Sequence, residues 1–273
     1  MKKITKLLLI IICSILFVPH SFAQETQKEK LNFLFVGVDA GYEEDRLEEM
    51  DGRLADAIMV LTIDPDANTL TISTIPRDSV IDIAGYGQNK INSSYSFGGK
   101  DLTIETVESL LGIQFDNYVF SNMPGFVDII NKLGGVTVIP PMSFNWWEKY
   151  FFEEKVEQHL DGDHALAYAR ERYTTGSDYA RQGRMREMMT RLIKDLIEKG
   201  EIESYREIFE NRYQYILTDF EFDQIVDLYQ KFGNKELEIH EFQLNGTSRL
   251  DDELGAVEEI VPGSLEELHK IVQ

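Results

Sequence analysis

The chain of 273 residues contains a single cysteine, Cys13, near its N-terminus. The sequence beyond Cys13 therefore has no disulfide and no thiolate metal site, and its stability must come from a buried core. The histidines, at positions 20, 159, 164, 240 and 269, include no pair with metal-ligand spacing on one element. Motifs for a nucleophile elbow, a lysine-containing phosphate loop and a dinucleotide fingerprint are also missing. These absences argue against serine hydrolase, nucleotide-cofactor and zinc chemistry.

Positive charge is scarce. The chain has 27 Lys and Arg against 48 Asp and Glu, a formal net charge of −21. This balance excludes a generic nucleic-acid binder, which needs a basic surface. Because 43% of the residues are hydrophobic and 11% aromatic, the chain can bury a core and is not of the disordered class.

The N-terminus has the layout of a secretory signal. Lysines at positions 2, 3 and 6 precede an apolar run over 7–18, and Ala23 ends a small-residue cleavage pattern. The run is shorter than the roughly 20 residues of a membrane span. We therefore predict that residues 1–23 are a cleaved signal peptide, with an uncleaved signal anchor as the alternative. A short linker over 24–30 and one domain over 31–273 follow.

Strand and helix patterns alternate through residues 31–273, which predicts one α/β domain. Apolar runs between turn residues predict strands at 31–39, 57–63, 69–75, 117–120, 136–139 and 237–244. Helical spacing, with glycine after several ends, predicts helices at 102–111, 124–133, 162–168, 178–199, 223–232 and 264–272. Asp178 is expected to cap the fourth helix.

Six of the chain's 12 arginines lie within 22 residues, at positions 170, 172, 181, 184, 186 and 191. This clustering indicates an anion pocket, because arginine binds phosphate oxygens bidentately and stays charged when desolvated. Arg181 and Arg184 would share a helix face. Arg170 and Arg172 would share one only in an extended stretch after a helix ending near Tyr168. The alternative is a solvated helix face, which we favour for positions 186 and 191.

Two carboxylates mark strand ends, with Asp39 at the end of the first strand and Asp56 at the start of the second. If the strands are neighbours, the pair could hold Mg²⁺, which prefers oxygen ligands. Turn-capping carboxylates are the simpler alternative from spacing alone. Arg77 follows Pro76 at a strand end, and its simplest role is an ion pair with Asp78. Lys90 alone would be a surface lysine.

Taken together, these segments resemble the LytR-CpsA-Psr family of cell-envelope phosphotransferases from about residue 31 to the C-terminus. The motifs occur in family order at 35–39 (FVGVD), 55–60 (ADAIMV), 73–78 (STIPRD), 90–92 (KIN), 98–99 (GG), 125–126 (GF), 134–136 (GGV), 160–172 (LDGDHALAYARER) and 178–184 (DYARQGR). Each motif alone is weak, whereas their order is specific.

The resemblance implies a mixed central β-sheet sandwiched by α-helices, with an apolar lipid tunnel. It implies transfer of a glycopolymer, such as teichoic acid or capsule, from a polyprenyl-pyrophosphate carrier to the 6-hydroxyl of peptidoglycan N-acetylmuramic acid. By resemblance, Asp39 and Asp56 hold Mg²⁺, with Mn²⁺ as the other suitable metal. Phosphate binding is assigned to Arg53, Arg77, Lys90, Arg170, Arg172, Arg181 and Arg184. Among these, Arg77, Arg170 and Arg172 are also expected to be catalytic, together with Asp78.

Three positions depart from the family pattern. Leu54 stands where an arginine is usual, with Arg53 one residue earlier, Ala57 replaces a threonine, and Met185 replaces a glutamine. These changes leave two alternatives open, a non-catalytic polyprenyl-phosphate binder and a pyrophosphatase that transfers to water. Asp78 and Asp178 are both candidates for a general base.

The sequence also predicts where the protein acts and with what. We expect an exported monomer at the extracellular face of the cytoplasmic membrane or in the cell wall, contacting the membrane surface and no nucleic acid. Six aromatic residues within 144–152 could form a tunnel lip or a membrane-facing edge. A buried core segment is an equally good interpretation of them.

Overall fold

The computed structural model describes residues 29–39, 53–172, 174, 176–210, 216–233 and 237–273. The predicted leader, most of the predicted linker and the acidic segment 41–51 lie outside these residues. The strands are β1 Leu31–Asp39, β2 Leu54–Asp64, β3 Thr69–Ile75, β4 Val80–Ile83, β5 Gly87–Lys90, β6 Asn117–Asn122, β7 Val136–Val138, β8 Phe144–Trp146, β9 Tyr150–Phe152, β10 Gln158–Leu160, β11 Ile216–Thr218, β12 Glu238–Gln243, β13 Gly246–Asp251 and β14 Gly255–Ile260. The helices are α1 Ser93–Leu111, α2 Met123–Lys132, α3 Gly162–Arg170, α4 Asp178–Lys199, α5 Arg206–Glu210, α6 Phe222–Leu228 and α7 Pro262–Val272.

The central sheet has six strands in the order β11-β6-β1-β2-β3-β12. The strands β1, β2 and β3 run antiparallel to one another, whereas β6 is parallel to β1 and β12 is parallel to β3. The sheet is therefore mixed, as predicted. Its centre is β1–β2–β3, which places the C-terminal end of β3 next to the N-terminal part of β2.

Helices cover both faces of the sheet. Successive side chains of each strand point to opposite sides, so each strand contributes apolar residues to both layers. Leu34, Val36 and Val38 face the layer formed with α1 and α7. Phe33 and Met59 face the opposite layer, formed with α4, α5 and α6. A further apolar cluster lies beneath α3 and the strands from β7 to β10. The sandwich of a mixed sheet between helices is confirmed.

Two helices begin differently from the sequence prediction. The helix predicted at 102–111 starts at Ser93, and Gly98 and Gly99 break its regular geometry where the periodic pattern is lost. The fourth predicted helix is capped by Ser177, whose side chain accepts a hydrogen bond from the Ala180 amide. The prediction that Asp178 is the cap was therefore wrong, since Asp178 is the first helical residue.

The third predicted helix also ends later than expected. It continues through Arg170, and only Glu171 adopts extended geometry, with φ −61° and ψ 129°. The prediction that Arg170 and Arg172 share an extended stretch was therefore wrong, because Arg170 lies in the last turn of α3. Within the described residues, no helix is both long and apolar enough to cross a membrane.

Candidate active site

A bulge in β2 sets the direction of the Asp56 side chain. Gly37 pairs with Ala57 and Val38 pairs with Ala55, so Asp56 is the extra residue between these pairs. A bulge of this kind redirects a side chain at the edge of a regular ladder. Asp39, at the end of β1, pairs with Leu54 and lies close enough to raise the pKa of Asp56 by charge repulsion. The two predicted metal-binding carboxylates therefore belong to one electrostatic site.

The Asp56 carboxylate is partly buried, and only one of its two oxygens has a partner in the structure. Burial raises its pKa more than the nearby Arg77 and Arg181 lower it, and the net pKa is above the ordinary value. Its Oδ2 lies 2.9 Å from Nη1 of Arg77. Its Oδ1 is buried and has no hydrogen-bond partner. A buried carboxylate oxygen without a hydrogen-bond partner is an acceptor of the kind that Mg²⁺ prefers, and Mg²⁺ binding at Asp56 stays a prediction.

Arg77 is surrounded by carboxylates. Pro76 ends β3 just before it, and besides Asp56 its Nε lies 3.6 Å from Oδ2 of Asp78 and 3.6 Å from Oδ1 of Asp178. Burial lowers the pKa of Arg77, but the three carboxylates raise it more, so the guanidinium remains charged. Its buried Nε has no hydrogen-bond partner. Arg77 therefore keeps a donor for an additional acceptor.

Asp178 holds the first turn of α4 against Arg77. It accepts from Nε of Arg181 at 2.8 Å and from the Gln182 amide at 2.9 Å. Burial raises its pKa, but the hydrogen bond and charge of Arg181 and the charge of Arg77 lower it further, to a net value below the ordinary one. Gln182 is a buried site residue that the sequence reasoning missed. Its i,i+4 spacing from Asp178 was the available signal.

Arg181 joins α4 to β2. Its Nη2 donates to the backbone oxygen of Asp56 at 3.0 Å, and its Nη1 contacts the sulfur of Met185 at 3.4 Å. Lys90, at the end of β5, places its Nζ 3.2 Å from Asp78. Arg77, Lys90 and Arg181 are therefore brought together by three separate elements.

Arg184 lies behind this group. It donates from Nε to the Tyr168 carbonyl at 2.8 Å and from Nη2 to the Glu171 carbonyl, and its Nη2 is 3.9 Å from the Glu171 carboxylate. The guanidinium lies near the rings of Phe144 and Tyr168, and only 2% of its side chain is exposed. Burial lowers its pKa. These contacts give Arg184 a positioning role between α3 and α4, and phosphate binding by Arg184 stays a prediction.

Arg53, Arg170 and Arg172 are the remaining arginines that the sequence predicts to bind phosphate. Arg170 lies over the Trp146 ring at 6.0 Å, and Arg172 is exposed beyond the end of α3. Arg53 is buried before β2, where its charge partly offsets the burial that raises the pKa of Tyr95 to about 12. Their roles in phosphate binding stay predictions.

Arg186 is not the solvated residue that the sequence favoured. It donates to Thr74 and to Gln243, and its Nε lies 3.4 Å from Glu241. Burial lowers its pKa, and only 13% of the side chain is exposed. Arg186 therefore ties α4 to β3 and β12, which fixes the helix that carries Arg181.

Comparison with known proteins identifies relatives of the whole described domain. The LytR_cpsA_psr family matches residues 17–269. The polyisoprenyl-teichoic acid–peptidoglycan teichoic acid transferase TagU of Enterococcus faecalis is 32% identical over 227 residues, covering 82% of this chain and 73% of TagU. TagU of Bacillus subtilis is 33% identical over 223 residues, covering 81% of this chain and 70% of that protein.

Solved structures agree with the sequence relatives. The crystal structure of B. subtilis TagV has a TM-score of 0.77 at 30% identity and covers 90% of this chain and 96% of that chain. A structure described as TagT bound to LI-WTA has a TM-score of 0.75 at 25% identity and covers 90% of each chain. The likeness extends over the sheet and its helical layers.

Proposed function

This chain belongs to the LytR-CpsA-Psr family, and from that membership we propose a specific reaction for it. It is a glycopolymer phosphotransferase of the kind that its teichoic acid transferase relatives represent. The donor is a phosphate-linked glycopolymer on a polyprenyl-pyrophosphate carrier. The acceptor is the 6-hydroxyl of N-acetylmuramic acid in peptidoglycan.

The observation that carries this proposal is the charge arrangement around Arg77. Three cationic side chains, Arg77, Lys90 and Arg181, pair there with Asp56, Asp78 and Asp178. A fourth carboxylate, Asp39, lies near Asp56. The carboxylates hold the cations in place when no substrate is bound. Because phosphoryl transfer depends mainly on positioning and charge neutralisation, this set suits a pyrophosphate. The Nε of Arg77, which has ion-pair neighbours but no hydrogen-bond partner, would donate to one of its oxygens.

Mg²⁺ fits the carboxylate side of this arrangement. Asp39 and Asp56 would hold it, with the unpartnered Oδ1 of Asp56 as one ligand atom. In the part of the chain that the structure describes, no group of three or more His, Cys, Asp or Glu is placed to hold a metal. Two carboxylates nevertheless suffice, because Mg²⁺ in phosphate sites keeps waters and substrate oxygens as ligands. When bound, the metal would supply charge neutralisation for phosphate oxygens.

The reaction breaks one P–O bond and forms another. The acceptor oxygen attacks the phosphorus that carries the glycopolymer, the bond to the bridging oxygen breaks, and polyprenyl phosphate leaves with that oxygen. Arg77 and Arg181 would hold the charged oxygens, and Lys90, which pairs with Oδ1 of Asp78 while Arg77 is near Oδ2, would add a further positive charge. The proton of the hydroxyl goes to a base or to the departing phosphate.

Asp78 is a better candidate for that base than Asp178. Asp178 has a lowered pKa and already accepts from Arg181 and Gln182, so it orients cations. Asp78 contacts Arg77 and Lys90 at longer distances, 3.6 Å and 3.2 Å, with 29% of its side chain exposed. The exposure of Asp178 is similar, at 26%, so the distinction rests on the hydrogen bonds from Arg181 and Gln182 that already occupy Asp178.

The setting of the enzyme follows from the same reaction. We propose that the chain is exported as a monomer and meets its lipid donor at the membrane surface, because both substrates lie outside the cytoplasm. The lipid would enter the apolar layer between the sheet and α4, where Met189 and Ile193 are only partly buried. Mn²⁺ would be a suitable substitute for Mg²⁺ because both accept oxygen ligands.

Transfer to sugar can be tested with the full chain purified in detergent and a prenyl-pyrophosphoryl N-acetylglucosamine donor. With Mg²⁺ and a peptidoglycan oligomer, we expect polyprenyl phosphate and a phosphate-linked sugar on the oligomer. EDTA should stop both products, and Mg²⁺ should restore them. Release without a sugar product would indicate a pyrophosphatase. Lipid binding without release would indicate a non-catalytic binder.

A further inference from the structure

The two tryptophans of this chain are adjacent at the tip of the β8–β9 hairpin. The turn is closed by the Lys149 amide, which donates to the Trp146 carbonyl at 3.0 Å. Both central residues, Trp147 and Glu148, have positive φ, at 53° and 57°. Such turns normally use asparagine or glycine. Large side chains in this conformation are disfavoured, and positions of this kind cluster at functional sites.

The base of this hairpin is fixed in the core while its tip is exposed. Phe144 and Phe152 are buried and pack on each other and on Tyr168 of α3, with ring centroids 4.6 to 5.8 Å apart. Trp147, in contrast, is 80% exposed. Because the base of the hairpin is anchored in the core, the Trp147 ring is held at the surface and is not part of the core. The interpretation of 144–152 as a buried core segment holds only for the base of the hairpin.

Beneath the tip lies a pocket with a mixed lining. The hairpin contributes Trp146, Trp147, Lys149 and Tyr150, and α3 contributes the charged Asp163 and Arg170 and the apolar Leu166 and Ala167. The guanidinium of Arg170 lies 6.0 Å from the Trp146 ring centroid, and the Lys149 ammonium lies 4.6 Å from that of Tyr150. Flat aromatic walls and a few charged groups therefore converge on one space.

This combination suits a pyranose ring. The C–H face of a sugar stacks on an aromatic face, while carboxylate and cationic groups bond its hydroxyls and fix its orientation. A lipid tail, in contrast, offers no hydrogen-bonding group to the exposed charges of Asp163 and Lys149 at the rim of the pocket. We propose that the pocket formed by Trp146, Trp147, Tyr150 and Asp163 binds a sugar unit of a glycan.

The inference deepens the proposed function, on which it rests through Arg170. Arg170 is a predicted phosphate-binding residue and also a wall of this pocket. If Arg170 binds the transferred phosphate as predicted, a glycan seated there would lie beside that phosphate. The sugar can come from the donor or from the acceptor, since the proposed donor is a glycopolymer and the proposed acceptor is peptidoglycan N-acetylmuramic acid.

The test uses the full chain, whose tryptophan fluorescence arises entirely from the pocket. Three probes are titrated: N-acetylglucosamine tetrasaccharide, a peptidoglycan glycan fragment, and a short-prenyl pyrophosphoryl N-acetylglucosamine. We expect a saturable fluorescence change with at least one probe, and the same Kd from calorimetry. Trp147→Ala should weaken that binding at least tenfold, and Trp147→Phe should stay within about threefold. Leu250→Ala, which removes a side chain 81% exposed on another hairpin, should bind like the wild type.

The outcomes separate the sources and the two proposals. A loss confined to the peptidoglycan fragment assigns the pocket to the acceptor, and a loss confined to the pyrophosphoryl probe assigns it to the donor. If no probe binds, or if Trp147→Ala binds every probe like the wild type, the sugar pocket is refuted. Glycan binding that depends on Trp147, in a wild type that releases no polyprenyl phosphate, would support the pocket and overturn the proposed function.

Discussion

Replacing Glu171 by alanine should destabilise the fold strongly, because it leaves the buried charge of Arg184 without its carboxylate. Both side chains are only 2% exposed, and Nη2 of Arg184 lies 3.9 Å from the Glu171 carboxylate. Glu171 also accepts from the Thr174 amide at 2.7 Å, which fixes the chain after α3. The substitution removes both interactions at once.

The loss of stability in Glu171→Ala depends on which partners Arg184 retains. Removing one partner of a buried ion pair costs about 3–5 kcal/mol. Because Arg184 retains the carbonyls of Tyr168 and Glu171 as acceptors and the weaker attraction of Glu187, we expect the lower end, about 3 kcal/mol. With a urea m-value of about 3 kcal/mol per M, the unfolding midpoint would fall by about 1 M. The Tm would fall by about 6–12 °C.

A double variant tests whether the buried charge is the cause. Adding Arg184→Met to Glu171→Ala removes the uncompensated guanidinium, so the pair should recover at least about 1 kcal/mol relative to the single variant. A loss below about 1 kcal/mol in Glu171→Ala would refute the reasoning, as would a double variant less stable than the single one. If turnover is lost in the folded double variant and kept in folded Glu171→Ala, Arg184 itself supports catalysis.

Three further predictions concern the metal site, acid titration and packing. Mg²⁺ at 100 times its Kd should stabilise the wild type by about 2.7 kcal/mol and raise its Tm. Asp56→Asn should lose this rise, while the exposed control Asp227→Asn should keep it. Equal Tm shifts in both variants would contradict the metal site. Asp178→Ala should cost about 2 kcal/mol at neutral pH. Since the pKa of Asp178 is lowered in the fold, its contribution to the free energy of unfolding is present above pH 3.8 and is lost as the pH falls through the lower folded pKa. Urea titrations should therefore show the stabilities of wild type and Asp178→Ala converging in acid. A stability difference that stays constant with pH would be contrary evidence. A Cβ on Gly135, at φ +91°, would lie 2.7 Å from a backbone oxygen, whereas Gly134, at φ +89°, has open space; Gly135→Ala should therefore lower the Tm clearly more than Gly134→Ala, and equal losses would show that the contact is unimportant.

The centre of the sheet could be predicted because its strands are bounded by strong local signals. β3 occupies the predicted residues 69–75, after a turn at 64–68, and β1 occupies 31–39. Gly112, with φ 66°, ends α1 where a glycine stop was expected. Each of these signals acts within a few residues and needs no distant partner.

The peripheral hairpins could not be predicted in the same way. The turn at Trp147 and Glu148 uses residues that rarely adopt positive φ, so it carries no turn signal. β13 is mostly exposed and lacks an alternating apolar pattern. Its pairing with β14 depends on contacts between distant segments of the chain, which local propensity does not report.

The candidate site shows the same division between local and distant information. The motif order located Arg77, Asp56 and Arg181, and the structure brings their side chains or backbone within hydrogen-bonding reach. The spacing of residues in the sequence could not show that a bulge at Asp56 sets the direction of its carboxylate. It also could not show that Arg184 is buried against Glu171. Both facts depend on the register between separate elements.

The central claim is that the charge set around Arg77 binds and cleaves the lipid pyrophosphate. The most direct measurement is the rate of polyprenyl phosphate release, with Mg²⁺ and acceptor present, for Arg77→Ala beside the control Arg206→Ala. Arg206 forms ion pairs on α5 at the surface, with Glu203 and Asp223. We predict that Arg77→Ala lowers release at least 100-fold, as expected for removing a transition-state donor, while Arg206→Ala stays within twofold of the wild type. Equal release by Arg77→Ala, in a folded protein, would contradict the account.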